Sequence, residues 1–146
     1  MRRIMFAGRT PLIFVSRGRA RFAELDPYGH VNTNHYLGYF LDHRFVGLRE
    51  RLGLDIASLR TLSHLFVTRK VSLDFLRPLV ADEEFEITSF VSEVLDRSCT
   101  VQMTLSKVDG TQAARCLLEL VCIEKQTLRP CSWPTELIER FFEATQ

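Results

Sequence analysis

The sequence predicts an α+β domain in which an antiparallel sheet of five or six strands wraps one long helix, with a second helix at the C-terminal end. Three observations lead there. One long stretch has helical apolar spacing. Alternating segments flank it, one before and several after. The length of 146 residues and the 46% hydrophobic content suit a single domain spanning residues 1–146. A chain of this size buries about 68 to 70% of the surface that its unfolded form exposes, so the core needs no metal or cross-link.

From Leu12 to Leu25 the chain alternates, with Arg17, Arg19 and Arg21 on one parity and Ala20 and Phe22 on the other, as in a half-exposed strand. Asp26-Pro27-Tyr28-Gly29 ends it, because proline fixes φ and glycine tolerates left-handed backbone. Over residues 33 to 52, Leu37, Phe40, Leu41, Phe45, Leu48 and Leu52 form one apolar stripe, and Gly53 is the expected stop. A helix of that length is about 30 Å long. Gly38 and Gly47 lie inside it, each at a cost of about 1 kcal/mol relative to alanine that a close approach to the sheet would offset. Arg44, beside the stripe, is expected to snorkel or to pair with a carboxylate.

After a short segment around Asp55 to Ser63, strands fill most of the remainder. Leu65, Val67, Val71, Leu73 and Phe75 share one parity, and His64, Thr68, Lys70, Ser72 and Asp74 fall largely on the other, until Pro78 stops the ladder. Phe85 to Leu95 is a third strand. In a fourth, Cys99, Val101, Met103 and Leu105 alternate with Thr100, Gln102, Thr104 and Ser106. Asp109-Gly110 marks a hairpin turn. Ala113 to Glu124 is apolar on both parities and reads as an interior strand. A last helix follows, with Thr135 as its cap and Leu137, Ile138, Phe141 and Phe142 as its apolar face.

Composition narrows the function. With 19 Lys+Arg against 18 Asp+Glu the net charge is +1, without the basic excess that nucleic-acid binding requires. Cys99, Cys116, Cys122 and Cys131 contain no C-x-x-C pair; Cys116 and Cys122 fall on one strand, about 20 Å apart, and all four read as reduced. Met1 to Thr10 carries Arg2, Arg3 and Arg9 but only Ile4 to Ala7 as an apolar run, too short for a secretory segment, and no stretch approaches a membrane span. The expectation is a soluble cytoplasmic protein.

The densest polar cluster, Glu24, Asp26, His30, Asn32, Thr33, Asn34 and His35, lies where the first strand meets the long helix. The first N–H groups of a helix lack internal partners, and its dipole adds about half a positive charge, so a developing oxyanion is favoured there. A carboxylate at Asp26, just before those amides, is suited to attack a polarised carbonyl or to take a proton from water.

Arg21-Phe22-Ala23-Glu24-Leu25-Asp26-Pro27-Tyr28-Gly29-His30-Val31-Asn32, with Tyr36 four residues on, resembles the R-x-x-E-x-D-x-x-G-H-V-N-N-x-x-Y signature of the 4-hydroxybenzoyl-CoA thioesterase-like acyl-CoA thioesterases. Asp74-Phe75-Leu76-Arg77-Pro78 with Asp82, and the Cys122 to Pro134 exit into the last helix, agree with it, so the similarity runs from about Arg17 to Phe142. The resemblance implies a hotdog fold, a homodimer or homotetramer with sites at the subunit interface, and hydrolysis of an acyl-CoA or acyl-carrier-protein thioester. It implies no cofactor beyond the coenzyme A moiety of the substrate. It assigns the nucleophile or general base to Asp26 and the polarising amide to Thr33, where the family commonly has a second asparagine. Gly29, His30, Asn32 and Tyr36 are the substrate-binding candidates. His30 and Asn32 equally suit structural hydrogen bonds, and Tyr36 suits the helix–sheet core.

Other chemistries lack their motifs. His30, His35 and His43 are spaced by five and eight residues, which misses the step that brings two metal ligands onto one helix face. No G-x-S-x-G elbow, P-loop or G-x-G-x-x-G occurs. A dehydratase or a non-catalytic acyl-thioester-binding module on the same fold remains the alternative, since fold does not fix function. Arg69, Lys70, Arg77 and Arg129 are candidate phosphate contacts, each equally explained by surface solvation.

Overall fold

The computed structural model describes residues 5–144; Arg2 and Arg3 of the basic start lie outside the described residues. Five strands, β1 (Phe14–Arg19), β2 (His64–Phe75), β3 (Glu84–Val94), β4 (Ser98–Lys107) and β5 (Gln112–Glu124), form one sheet in the order β1-β3-β4-β5-β2, with every neighbouring pair antiparallel. The long helix α1 (Thr33–Leu52) packs against the sheet, most closely on β1. Asn32 caps its start, and Gly53 ends it in left-handed backbone at φ 66°. This is the expected α+β hotdog architecture.

Several elements depart from expectation. The first strand stops at Arg19 because the Ala20 N–H turns away to Glu83 O at 2.9 Å, and Phe22–Glu24 then forms a 3-10 turn closed by Arg21 N–H to Glu24 Oε1 at 2.8 Å. Phe22, expected inside, is therefore 84% exposed. The segment that follows α1 contains a short helix, α2 (Ile56–Thr61), whose N-cap Asp55 accepts from Ser58 N–H at 2.8 Å. The terminal helix α3 (Thr135–Glu139) has Pro134 at its cap position, so Thr135 does not cap it, but Leu137, Ile138, Phe141 and Phe142 are buried as expected.

On β2 the pairing with β5 shifts between Thr68 and Lys70. This bulge inserts one residue and reverses the parity. Phe66 and Thr68 therefore share the inner face with Val71, Leu73 and Phe75, opposite Cys122, Leu120, Leu118, Cys116 and Ala114 of β5. Val67, expected inside, is 43% exposed.

The buried face of α1 is also rotated by one residue from the hydropathy stripe. It consists of Tyr36, Phe40, His43, Arg44, Gly47 and Leu52, while Leu37, Phe45 and Leu48 are half-buried and Leu41 is exposed. Polar side chains reach the interior because partners wait there. His43 Nδ1 and Nε2 each lie 2.6 Å from a serine hydroxyl, those of Ser16 and Ser89. Arg44 neither snorkels nor pairs with a carboxylate: it donates to Ser89 Oγ at 3.0 Å and lies 4.4 Å from the centre of the Phe14 ring. A Cβ on Gly47 would stand 2.1 Å from Phe14 Cδ2, which confirms close approach there; nothing lies within 4 Å of a Cβ on Gly38, so that glycine has no such role.

Candidate functional site

The chain between the 3-10 turn and α1 folds back on itself as a tight loop. Asn32 N–H donates to Glu24 O at 2.8 Å, Leu25 bridges Val31, and Asp26 N–H donates to His30 O at 2.7 Å. At its tip Gly29 N–H reaches Asp26 O at 3.1 Å, and Gly29 adopts φ +80°, a conformation that L side chains rarely take. Val31 N–H to Leu79 O at 2.8 Å ties the loop to the segment after β2.

This loop orients the Asp26 carboxylate. Its Oδ1 accepts from Tyr28 N–H at 2.8 Å and His30 N–H at 3.1 Å, so the side chain is half-buried and held by main chain. Seven residues on, Thr33 is the first residue of α1. The next two amides have partners, Asn34 N–H on Asn32 Oδ1 at 3.4 Å and His35 N–H on Asn32 O at 3.0 Å, whereas the Thr33 N–H meets no acceptor among the described residues.

Asp26 and Thr33 line one cavity of about 370 Å³, together with His30, Tyr36, Phe75 and Arg77. Tyr36 is 4% exposed; its hydroxyl accepts from Leu79 N–H at 3.4 Å and its ring meets Phe75 edge-on at 5.2 Å. Burial raises its phenol above the ordinary value, so the hydroxyl stays protonated. Tyr36 thus serves as both core and cavity wall. Asn32 is the helix cap, and Gly29 and His30 are exposed loop positions, His30 also bridging Val80. Of the four candidate phosphate contacts, Arg77 borders this cavity, while Arg69 is engaged by Glu119.

A second carboxylate, that of Glu24 in the R-x-x-E step, supports the loop. Glu24 is buried and accepts from Arg21 N–H and from the Tyr39 hydroxyl, both at 2.8 Å, with His35 Nδ1 at 4.0 Å. Burial opposes its ionisation, but these hydrogen bonds and the Arg21 guanidinium prevail and hold it below the usual carboxylate range. The R-x-x-E spacing already carried this signal. The three histidines weighed as metal ligands remain apart in role: His30 is exposed in the loop, His35 is beside Glu24, and His43 is between serines.

Two larger clefts, of about 680 and 600 Å³, flank β1. Their charges are largely paired, as in Arg17–Glu86 at 3.4 Å and Lys107–Glu83 at 3.1 Å, and neither contains Asp26. A fourth space, an apolar groove of about 250 Å³, lies between the second half of α1 and the inner face of the sheet, bordered by Leu41, Phe45, Thr68 and Trp133.

A carboxylate held by a turn and an unpartnered amide at the start of a long helix thus line one cavity of this α+β fold. The model of the thioesterase-like superfamily matches residues 20–141. The chain belongs to this superfamily and is a thioester hydrolase. It is 25% identical over 123 residues to the long-chain acyl-CoA thioesterase FadM of Escherichia coli, covering 84% of this chain and 92% of FadM. It superimposes on SAV2348 of Staphylococcus aureus, solved in complex with CoA, with TM-score 0.80 at 19% identity, covering 90% of this chain and 82% of that one. The 1,4-dihydroxy-2-naphthoyl-CoA thioesterase Slr0204 of Synechocystis gives TM-score 0.80 at 15% identity, covering 89% and 96%. Among the described residues no helix is long and apolar enough to cross a membrane.

Proposed function

We propose that the protein hydrolyses long-chain acyl-CoA thioesters in the cavity shared by Asp26 and Thr33. The observation that carries this is the convergence on one space of a main-chain-held carboxylate and an unpartnered helix N-terminal amide. The thioester oxygen accepts from the Thr33 N–H, and the dipole of α1 favours the charge that develops on it. Asp26 then works in one of two balanced ways. In the first, its free oxygen attacks the acyl carbon, the C–S bond breaks to release thiolate, and water cleaves the resulting anhydride. In the second, it takes a proton from a water that attacks directly, and the thiolate leaves. No cofactor enters either route. Single turnover in 18O-labelled water separates them: direct attack of water labels only the released acid, whereas the anhydride route allows label in Asp26.

The long-chain class is supported by an apolar track. From Thr33, side chains at four-residue steps, Leu37, Leu41 and Phe45, form one ridge of α1 about 18 Å long. Phe75, Leu73, Val71, Thr68 and Phe66 of the inner face of β2 run beside it to the apolar groove. Arg77, at the cavity edge, is a candidate for the coenzyme A phosphates. The exposed edge of β2 pairs with the same strand of a second copy, as the long unpaired ladder with exposed Val67, Val71 and Phe75 favours.

The test is thiol release from a panel of acyl-CoAs, with Asp26→Asn alongside. The expected result is a turnover loss of about a thousandfold or more in the variant, with fold and substrate affinity retained. Wild-type turnover by Asp26→Asn overturns the assignment.

A further inference from the structure

We propose that His64, Cys122 and Cys131 form a zinc site at the end of the sheet remote from the catalytic loop. Their ligand atoms all lie within 4.8 Å of one another. The two sulfurs are 3.6 Å apart, too far for a disulfide and close to the spacing of about 3.8 Å that two thiolates, each about 2.3 Å from one tetrahedral zinc, must have.

Backbone geometry brings the ligands together. After β5 the chain reverses, with Glu124 N–H to Arg129 O at 2.9 Å and Ile123 bridging Pro130, so that Cys131 N–H donates to Cys122 O at 3.0 Å. His64 opens the neighbouring strand β2, whose inner face also carries Phe66 opposite Cys122. Phe66 packs on Trp133 at 5.5 Å, which orders the returning segment.

The surroundings suit a metal. Ser63 Oγ lies 2.8 Å from His64 Nδ1, an outer partner that leaves Nε2 for the ion. Cys122 is buried, while His64 and Cys131 are half-buried, so an ion has a way in and the fourth coordination position can take water. Zinc takes cysteine as thiolate, so binding displaces two protons, and two thiolates with a neutral imidazole leave the zinc site electrically neutral, the least costly outcome in a partly buried place.

The three ligands come from β2, β5 and the returning segment, so the ion would pin that segment to the sheet. From Phe75, which borders the catalytic cavity, to His64 is eleven steps along β2, about 36 Å. The role is structural, and the proposal is independent of the reaction.

The experiment uses the untagged full-length protein, stripped by chelator, reduced and titrated with zinc, then with cobalt as a coloured substitute. Expected are one zinc per chain at micromolar or tighter affinity, the visible bands of tetrahedral thiolate-bound cobalt, and a melting temperature several degrees above that of the stripped form. Cys131→Ser and His64→Gln should each weaken binding at least tenfold. Where either variant fails to fold, alkylation of the wild type decides: zinc should slow modification of Cys131 and leave that of Cys116 unchanged. No zinc bound by the reduced wild type, binding unaltered in folded variants, or alkylation of Cys131 indifferent to zinc overturns the proposal.

Discussion

His43 sits beneath α1 between two serine hydroxyls, each at 2.6 Å, and is 2% exposed. Burial, with the neighbouring Arg44 charge, lowers its pKa from 6.5 to about 4. The unfolded chain therefore binds more protons than the folded one between these values, and stability rises with pH across that window. Acidification from about pH 6.5 toward pH 4 should remove a few kcal/mol, because each tenfold difference in proton affinity between the two states is worth about 1.4 kcal/mol. Melting temperatures over this range check it, and His43→Gln should flatten this part of the profile. Glu24 contributes in the same direction, at lower pH. Its pKa is held low, so its stabilisation is present above the ordinary carboxylate range and fades as pH falls through the native value. Glu24→Ala leaves the Arg21 N–H and the Tyr39 hydroxyl without their acceptor, a loss of about 1 to 3 kcal/mol in urea unfolding.

At the scale of elements, α1 offers a paired test in its two glycines. Gly47→Ala drives a Cβ into the Phe14 ring, which is itself held between Arg44 and Phe141, and should cost about 1 to 3 kcal/mol. Gly38→Ala meets no neighbour and should stabilise by up to about 1 kcal/mol. Thermal unfolding should move in opposite directions for the two. The sequence treats these glycines alike, because spacing along a helix does not reveal which turn lies against another strand. The groove gives a third test. Thr68→Trp would fill the space between β2 and α1, and acyl-CoA chain-length profiles should shift toward shorter chains with little change in turnover of the shortest substrates. The position of Thr68 on that inner face depends on the β2 bulge, which strict alternation cannot anticipate.

For the whole molecule, the sheet leaves β1 and β2 as edges, and β2 is the longer at 12 residues. Light scattering on the eluted protein should return a dimer or a dimer of dimers. Val67→Lys, which places a charge on the exposed edge strand away from the acyl track, should weaken association and lower activity together, since the catalytic cavity also includes Phe75 of that strand. A stable, fully active monomer would contradict a shared site.

What the sequence alone determined was local. The 3.6-residue period and Gly53 delimit α1, the Asp-Gly turn joins β4 to β5, and the D-x-x-G loop marks the catalytic candidate, because each depends on backbone preferences expressed within a few residues. The tertiary structure decided whatever needs two distant segments to meet. It rotated the buried face of α1 toward His43 and Arg44, since Ser16 and Ser89 supply their partners from β1 and β3. It gave Glu24 its hydrogen bond from Tyr39, and it closed Cys122, Cys131 and His64 around one point. Burial cost is settled by the partner found across the fold, and a linear pattern of hydropathy contains no information about that partner.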